Sequence, residues 1–156
     1  MKLVIILTLL FNFSLLAQEL RVKANSFKAD EKAGISIFSG DVNIIKHNDE
    51  LNASKVTIYT DAEHKPTKYV AKGDVAFKIS TSKGAIYMGK AQEVIYLPKE
   101  KEYHFYKDVH LSQLDEQKEI IGDEVVLKTV EGTAYAKGQK SGPVIMIFNI
   151  PDEEEK

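Results

Sequence analysis

The chain has no cysteine and no tryptophan. Without cysteine it has no thiol nucleophile, no thiolate metal ligand and no disulfide. Its fold must be held by hydrogen-bonded sheet and apolar packing alone. Nor is there an excess of charge of either sign, since 21 basic residues stand against 23 acidic ones for a net charge of −2. Four of the acids are clustered at Asp152, Glu153, Glu154 and Glu155, and the stretch from Gln18 to Pro151 is balanced. A nucleic-acid surface would need a basic stripe, and none is present. Beyond the first residues, no window of a dozen shows a helical apolar period. Nucleophile elbows, phosphate loops and dinucleotide fingerprints are also missing.

What is present is alternation. Strand-like runs rich in Val, Ile, Tyr and Phe begin at Leu20 and recur to Phe148. Short polar segments separate them at Asp30–Gly34, Lys46–Glu50, Asp61–Pro66, Thr81–Gly84, Pro98–Glu102, Gln113–Glu119 and Gly138–Pro143, and these read as turns. Thirteen such runs are expected, with separate strands on either side of Gly40-Asp41, Gly73-Asp74 and Lys107-Asp108. The class is all-β: a sandwich, a barrel or a stacked β-architecture.

Two signals repeat within this pattern. A small residue precedes a larger apolar one by three positions at Ala24–Phe27, Ala53–Val56, Ala91–Val94 and Gly122–Val125. Gly40-Asp41-Val42, Gly73-Asp74-Val75 and Lys107-Asp108-Val109 recur at steps of 33 and 34 residues. An odd step between two alternating runs turns the second apolar set to the opposite face. A bulge or bend at the small residue would restore it, so the chain reads as one bent strand unit written four times. The repeated Asp41, Asp74 and Asp108 then read as turn hydrogen-bonders at strand entry, not as a carboxylate cluster.

Alternation also assigns an inner face. Val42, Ile44, Val56, Ile58, Val75, Phe77, Ile79, Val94, Tyr96, Phe105, Val109, Leu111, Val125 and Leu127 fall on one side, with Asn43, Thr57, Lys78, Glu93, Glu124 and Lys128 on the other. Such an apolar interior is either a packed core or a lumen for an apolar ligand. His47 and His64 fall in turns. A turn-over of faces separates His104 from His110, so no shared metal site is expected. The sequence predicts no enzyme, no metal site and no cofactor.

The N-terminus is different. Met1-Lys2 precedes an apolar stretch, Leu3–Leu16, broken only by Thr8, Asn12 and Ser14, and Ala17 comes before polar Gln18-Glu19. This is the layout of a secretory signal peptide over residues 1–17, with Leu15 where a small residue is usual. The run is shorter than the roughly 20 residues of a membrane span. With no cysteine, a lipoprotein anchor is excluded. The expected division is a signal peptide over 1–17, one β-domain over 18–150 and an acidic tail over 151–156.

Leu20-Arg21-Val22-Lys23-Ala24-Asn25-Ser26-Phe27, Phe38-Ser39-Gly40-Asp41-Val42 and Leu51-Asn52-Ala53-Ser54-Lys55-Val56 resemble the OstA-like domain of the LptA family of lipopolysaccharide-transport proteins. Gly89-Lys90-Ala91-Gln92-Glu93-Val94-Ile95-Tyr96 and Ile120-Ile121-Gly122-Asp123-Glu124-Val125 continue the likeness, which covers about Leu20 to Lys137. The resemblance implies an OstA-like β-jelly-roll of bent antiparallel strands, open at both ends. It implies a periplasmic carrier or bridge for lipopolysaccharide, with the fourteen inner residues lining a groove for lipid A acyl chains. It also implies head-to-tail assembly, with LptC-like and LptD-like domains or with copies of itself. The edges would be Leu20, Val22 and Ala24 at one end and Val144, Ile145, Met146, Ile147 and Phe148 at the other. Lys107 departs from the glycine of the other two copies, and the acidic tail matches no family role. Rival readings are an LptC-like partner anchored by its N-terminus and a structural periplasmic filament without lipid cargo. An outer-membrane barrel would want aromatic girdles, and a secreted β-sandwich enzyme would want a catalytic constellation.

Overall fold

The computed structural model describes residues 19–140 and 142–150. The signal peptide expected over 1–17 and the acidic tail expected over 151–156 lie outside the described residues. The described chain forms ten strands: β1 (Leu20–Lys23), β2 (Ser26–Asp30), β3 (Ile35–Lys46), β4 (Asp49–Thr60), β5 (Pro66–Ser80), β6 (Ile86–Leu97), β7 (Glu102–Gln113), β8 (Lys118–Lys128), β9 (Thr133–Lys137) and β10 (Ile145–Phe148). Every pairing is antiparallel. The strand order is β1-β3-β4-β5-β6-β7-β8-β10, with β2 also on β3 and β9 also on β8. The sheet is all-β, of the jelly-roll kind, and open at both ends.

The expected thirteen runs merge into fewer, longer strands because Gly-Asp does not end them. Gly40 and Asp41 stand inside β3 opposite the single Ser54, and the register slips by one residue there. Gly73 and Asp74 do the same inside β5 opposite Gln92, and Lys107 and Asp108 inside β7 opposite Asp123. All six residues have left-handed φ, from 44° at Asp41 and Asp74 to 86° at Gly73. Asp tolerates that region better than most L-residues, because its short side chain bonds locally. Asp74 accepts a hydrogen bond from Gln92 Nε2 at 3.1 Å.

This corrects the sequence reading in two ways. The bulge sits at Gly-Asp, in mid-strand, and not at the alanine or at strand entry. The repeat is also a hairpin, not a single strand. β3, β5 and β7 carry the two-residue bulge and keep their inner face over an even step: Ala71 and Val75 are both buried, as are Phe105 and Val109. β4, β6 and β8 carry the odd step, so Ala53 and Val56 are both buried, as are Ala91 and Val94. The residue after each small one faces the neighbouring bulge. Ser54 Oγ donates to the Gly73 carbonyl at 3.2 Å, and Asn25 N donates to the Gly40 carbonyl at 2.9 Å. The expected single run Leu20–Ala29 breaks here into β1 and β2, both paired with β3.

The row of bulges divides the sheet into two arms. One holds β1, residues 42–46, 49–53, 75–80, 86–91, 109–113 and 118–122, and β10. The other holds β2, residues 35–39, 55–60, 66–72, 93–97, 102–106 and 124–128, and β9. Bulges bend and twist strands, and here the inner faces of the arms meet. Phe77 of the first arm stacks on Phe105 of the second at 4.5 Å between ring centroids. Tips of the arms are tied by a backbone bond from Ser82 N to the Thr129 carbonyl at 3.1 Å, and Thr129 N in turn donates to the Lys101 carbonyl within the second arm at 3.1 Å. Buried side chains from both arms form one apolar cluster.

Candidate functional site

The interior between the arms is not uniform. Towards β7 and β8 it is solid. Phe105, Val109, Leu111, Val125 and Leu127 are wholly buried, and Val75 and Phe77 pack with them. Towards β1 and β3 a cleft of about 490 Å³ opens between the arms. That size falls within the range of about 300–1,000 Å³ usual for small-molecule sites.

Both arms supply its walls. Leu20, Ile44, Leu51 and Ile79 come from the first arm; Val56, Ala71, Val94, Tyr69, Tyr96 and Tyr103 come from the second. At the tips of the strands the lining turns polar, with Lys46, Asp49, Glu50, Lys78, Ser80 and Thr129, together with Pro66. Asp49 Oδ1 accepts a hydrogen bond from Ser80 N at 2.8 Å, which joins the start of β4 to the end of β5.

The three tyrosines form a ladder across β5, β6 and β7. Tyr69 pairs with Tyr96 and Tyr96 with Tyr103 in register, with ring centroids 5.9 Å and 4.4 Å apart. Phe105 continues the row 6.1 Å beyond Tyr103. Burial pushes the Tyr103 phenol well above its ordinary range, reinforced by Tyr96, Asp49 and Tyr69. Tyr69 and Tyr96 shift the same way, again chiefly through burial. These hydroxyls therefore stay neutral and add polar points to an otherwise apolar wall. No side chain among the described residues donates to them or accepts from them.

All fourteen residues assigned to the inner face point between the arms. Ile44, Val56, Ile79, Val94 and Tyr96 line the cleft, whereas Val42, Ile58, Val75, Phe77, Phe105, Val109, Leu111, Val125 and Leu127 pack outside its walls. Lys78, assigned outward, is half-buried and reaches the cleft's polar end. Leu20, Leu51, Tyr69, Ala71 and Tyr103 also line it and were not among the fourteen. Parity alone could have found three of them, since Leu51 is in phase with Ala53, Tyr69 with Ala71, and Tyr103 with Phe105.

The ends of the sheet are strand edges. β1 carries Leu20 and Val22 at one end, with Ala24 just beyond it. β10 carries Ile145, Met146, Ile147 and Phe148 at the other, all exposed, with half-buried Val144 just before it. β2 and β9 are the matching edges of the second arm, and exposed Phe27 of β2 packs its ring on Phe38 at 4.9 Å. His104 and His110 go to different partners, Glu102 at 3.1 Å and Glu119 at 2.9 Å. His47 and His64 lie in exposed turns. Among the described residues, no group of three His, Asp or Glu side chains is placed to hold a metal. No helix of the described chain is long and apolar enough to cross a membrane.

A family model described as the LptA/(LptD N-terminal domain) LPS transport protein matches residues 21–133. Among solved structures, the fold is similar to that of LptH from Pseudomonas aeruginosa. That protein is described as the LptA-homologous periplasmic component of the conserved lipopolysaccharide transport device. The two share 18% identity, over 85% of this chain and 96% of that one, with a TM-score of 0.75. No curated protein matches the sequence.

Proposed function

The chain belongs to the LptA/LptD N-terminal-domain family of lipopolysaccharide-transport proteins, and from that premise we propose that it is a periplasmic, non-enzymatic carrier that holds lipopolysaccharide acyl chains between its two arms. The observation that carries this reading is the cleft itself: apolar walls from both arms, and a polar end at the strand tips. An acyl chain of about twelve carbons costs on the order of 10 kcal/mol to expose to water. A cleft of this kind removes much of that cost while a charged sugar head stays wet beside Lys46, Asp49, Glu50 and Lys78. The exposed edges β1 and β10 fit head-to-tail strand addition, to LptC-like and LptD-like domains or to further copies. Export by a signal peptide over residues 1–17 completes the reading.

The test is lipopolysaccharide binding by the purified protein and by Leu51→Glu. Leu51 is only half-buried and faces the cleft, so the empty protein tolerates the carboxylate while an acyl chain does not. Binding by the wild type and a ten-fold or greater loss in the variant, at unchanged folding, supports the proposal. A protein that binds no lipopolysaccharide yet assembles end to end would be a structural filament instead.

A further inference from the structure

We propose that the tyrosine ladder of the cleft recognises a hydroxyl carried on the acyl chain close to its head group, an inference that rests on the lipid-carrier reading above. Tyr69, Tyr96 and Tyr103 all line the cleft. A wall meant for hydrocarbon alone gains nothing from phenols, because a hydroxyl laid against an alkyl tail loses its water and finds no partner. Here three hydroxyls share one wall, and among the described residues none of them has a hydrogen-bond partner. Yet no unpartnered side-chain oxygen of the half-buried and buried described residues is sealed away from solvent. The rings are packed into the wall while their hydroxyls remain open to the space between the arms.

Register sets the depth of the ladder. Tyr69 and Tyr96 form the cross-strand pair one inner-facing step nearer the strand tips than Ala71 and Val94. Ala71 and Val94 continue the wall towards the bulges, and Pro66 and Thr129 continue it towards the tips. The ladder thus stands where the polar end gives way to the apolar depth. A ligand with its head at the tips and its tail against Ala71 and Val94 brings the first few carbons of its chain to the phenols. Charge decides the kind of oxygen that fits. Asp49 of the facing arm lines the same end, and its carboxylate adds to burial in holding the protons on Tyr96 and Tyr103. A second anion beside it is disfavoured. A neutral hydroxyl suits the place, since like a phenol it both donates and accepts.

The experiment measures binding of myristate, 3-hydroxymyristate and 14-hydroxymyristate to the purified wild type, to Tyr69→Phe, Tyr96→Phe and Tyr103→Phe, to the triple variant and to Tyr87→Phe, with lipopolysaccharide binding measured alongside. The cleft exchanges keep each ring and break no internal hydrogen bond, so the fold is retained. Tyr87→Phe is the control, because Tyr87 is buried, bonded to Gln113 and absent from the cleft walls. The wild type and Tyr87→Phe should bind 3-hydroxymyristate about 2- to 10-fold more tightly than myristate, the worth of one net hydrogen bond. They should bind 14-hydroxymyristate no more tightly than myristate, since its hydroxyl falls in the apolar depth. In the triple variant the preference disappears while myristate binds at least as well as before, and the single variants fall between. Equal binding of myristate and 3-hydroxymyristate by the wild type, or an undiminished preference in the triple variant, overturns the hydroxyl site and leaves the carrier reading intact where lipopolysaccharide still binds. An equal loss of both acids in the triple variant also overturns it, because the phenols would then hold the head and not the chain. Binding of none of the acids, with lipopolysaccharide also unbound, overturns both.

Discussion

Gly73 offers a quantitative check on the bulge row, because Gly84 serves as its control. Both have almost the same left-handed backbone, with φ of 86° and 88°. A Cβ at Gly84 would meet nothing within 4 Å, whereas at Gly73 it would lie 2.6 Å from Ser54 Oγ and 2.7 Å from Ser54 Cβ. The hydroxyl can rotate away, but the Ser54 Cβ is fixed to the backbone of β4. Alanine in left-handed backbone costs about 1–2 kcal/mol, offset by about 0.4–1 kcal/mol of lost unfolded-state entropy. Gly84→Ala should therefore cost about 1 kcal/mol or less. Gly73→Ala carries the same balance plus overpacking of about 1–3 kcal/mol, for a total of roughly 1–4 kcal/mol. Urea unfolding followed by circular dichroism gives both values from the transition midpoints. Ser54→Gly removes the obstructing atoms, so the double variant Ser54→Gly/Gly73→Ala should recover most of the extra loss in a double-mutant cycle. If Gly73→Ala costs no more than Gly84→Ala, or if the cycle shows no coupling, the close contact of β4 with the β5 bulge is refuted.

Three further outcomes follow from the packing. Tyr87 Oη donates to Gln113 Oε1 at 3.1 Å with both residues buried, so Tyr87→Phe, which strands the acceptor, should cost about 1–3 kcal/mol in the same unfolding assay. Lys107 already holds a φ of 63°, and Lys107→Gly should be neutral or stabilise by up to about 1 kcal/mol, since relief of strain outweighs the entropy of glycine. The Tyr103 phenol is raised above its ordinary value chiefly by burial. The unfolded chain therefore ionises first, and its share of stability is complete below about pH 10 and lost as pH rises above that value. Tyr103→Phe should flatten that alkaline fall in a thermal-melting series, and an unchanged slope would show that the ring is not buried as described.

The all-β class, the turns and the inner face were legible because β-structure writes its faces at period two. Parity placed Val56 and Val94 inward across the odd step. It could not show which strand carried the extra residue, since Gly40-Asp41 reads equally as a turn and as a bulge. Only the opposed strand, with Ser54 facing two residues, decides between them. The boundary between cleft and packed core was not legible either. Parity says that Phe77 and Phe105 point inward, but not that two rings from opposite arms and 28 positions apart in the chain fill the same space. Tyr69 and Tyr103 were legible by parity, in phase with Ala71 and Phe105, just as Tyr96 was. Lys78 shows the converse, because at the tip of a strand a residue of the outer face still borders an open cleft.

The central claim is that acyl chains occupy the cleft and not the packed half of the interior. The most direct measurement places a photo-crosslinking amino acid at Leu51, at the cleft wall, and separately at Leu111, in the packed half, and exposes each purified protein to lipopolysaccharide under ultraviolet light. The account predicts a lipopolysaccharide adduct at position 51 and none at 111. Adducts at 111 equal to those at 51 would mean that lipid runs through the whole interior, and adducts at neither position, in folded protein, would mean that the cleft does not carry lipid at all.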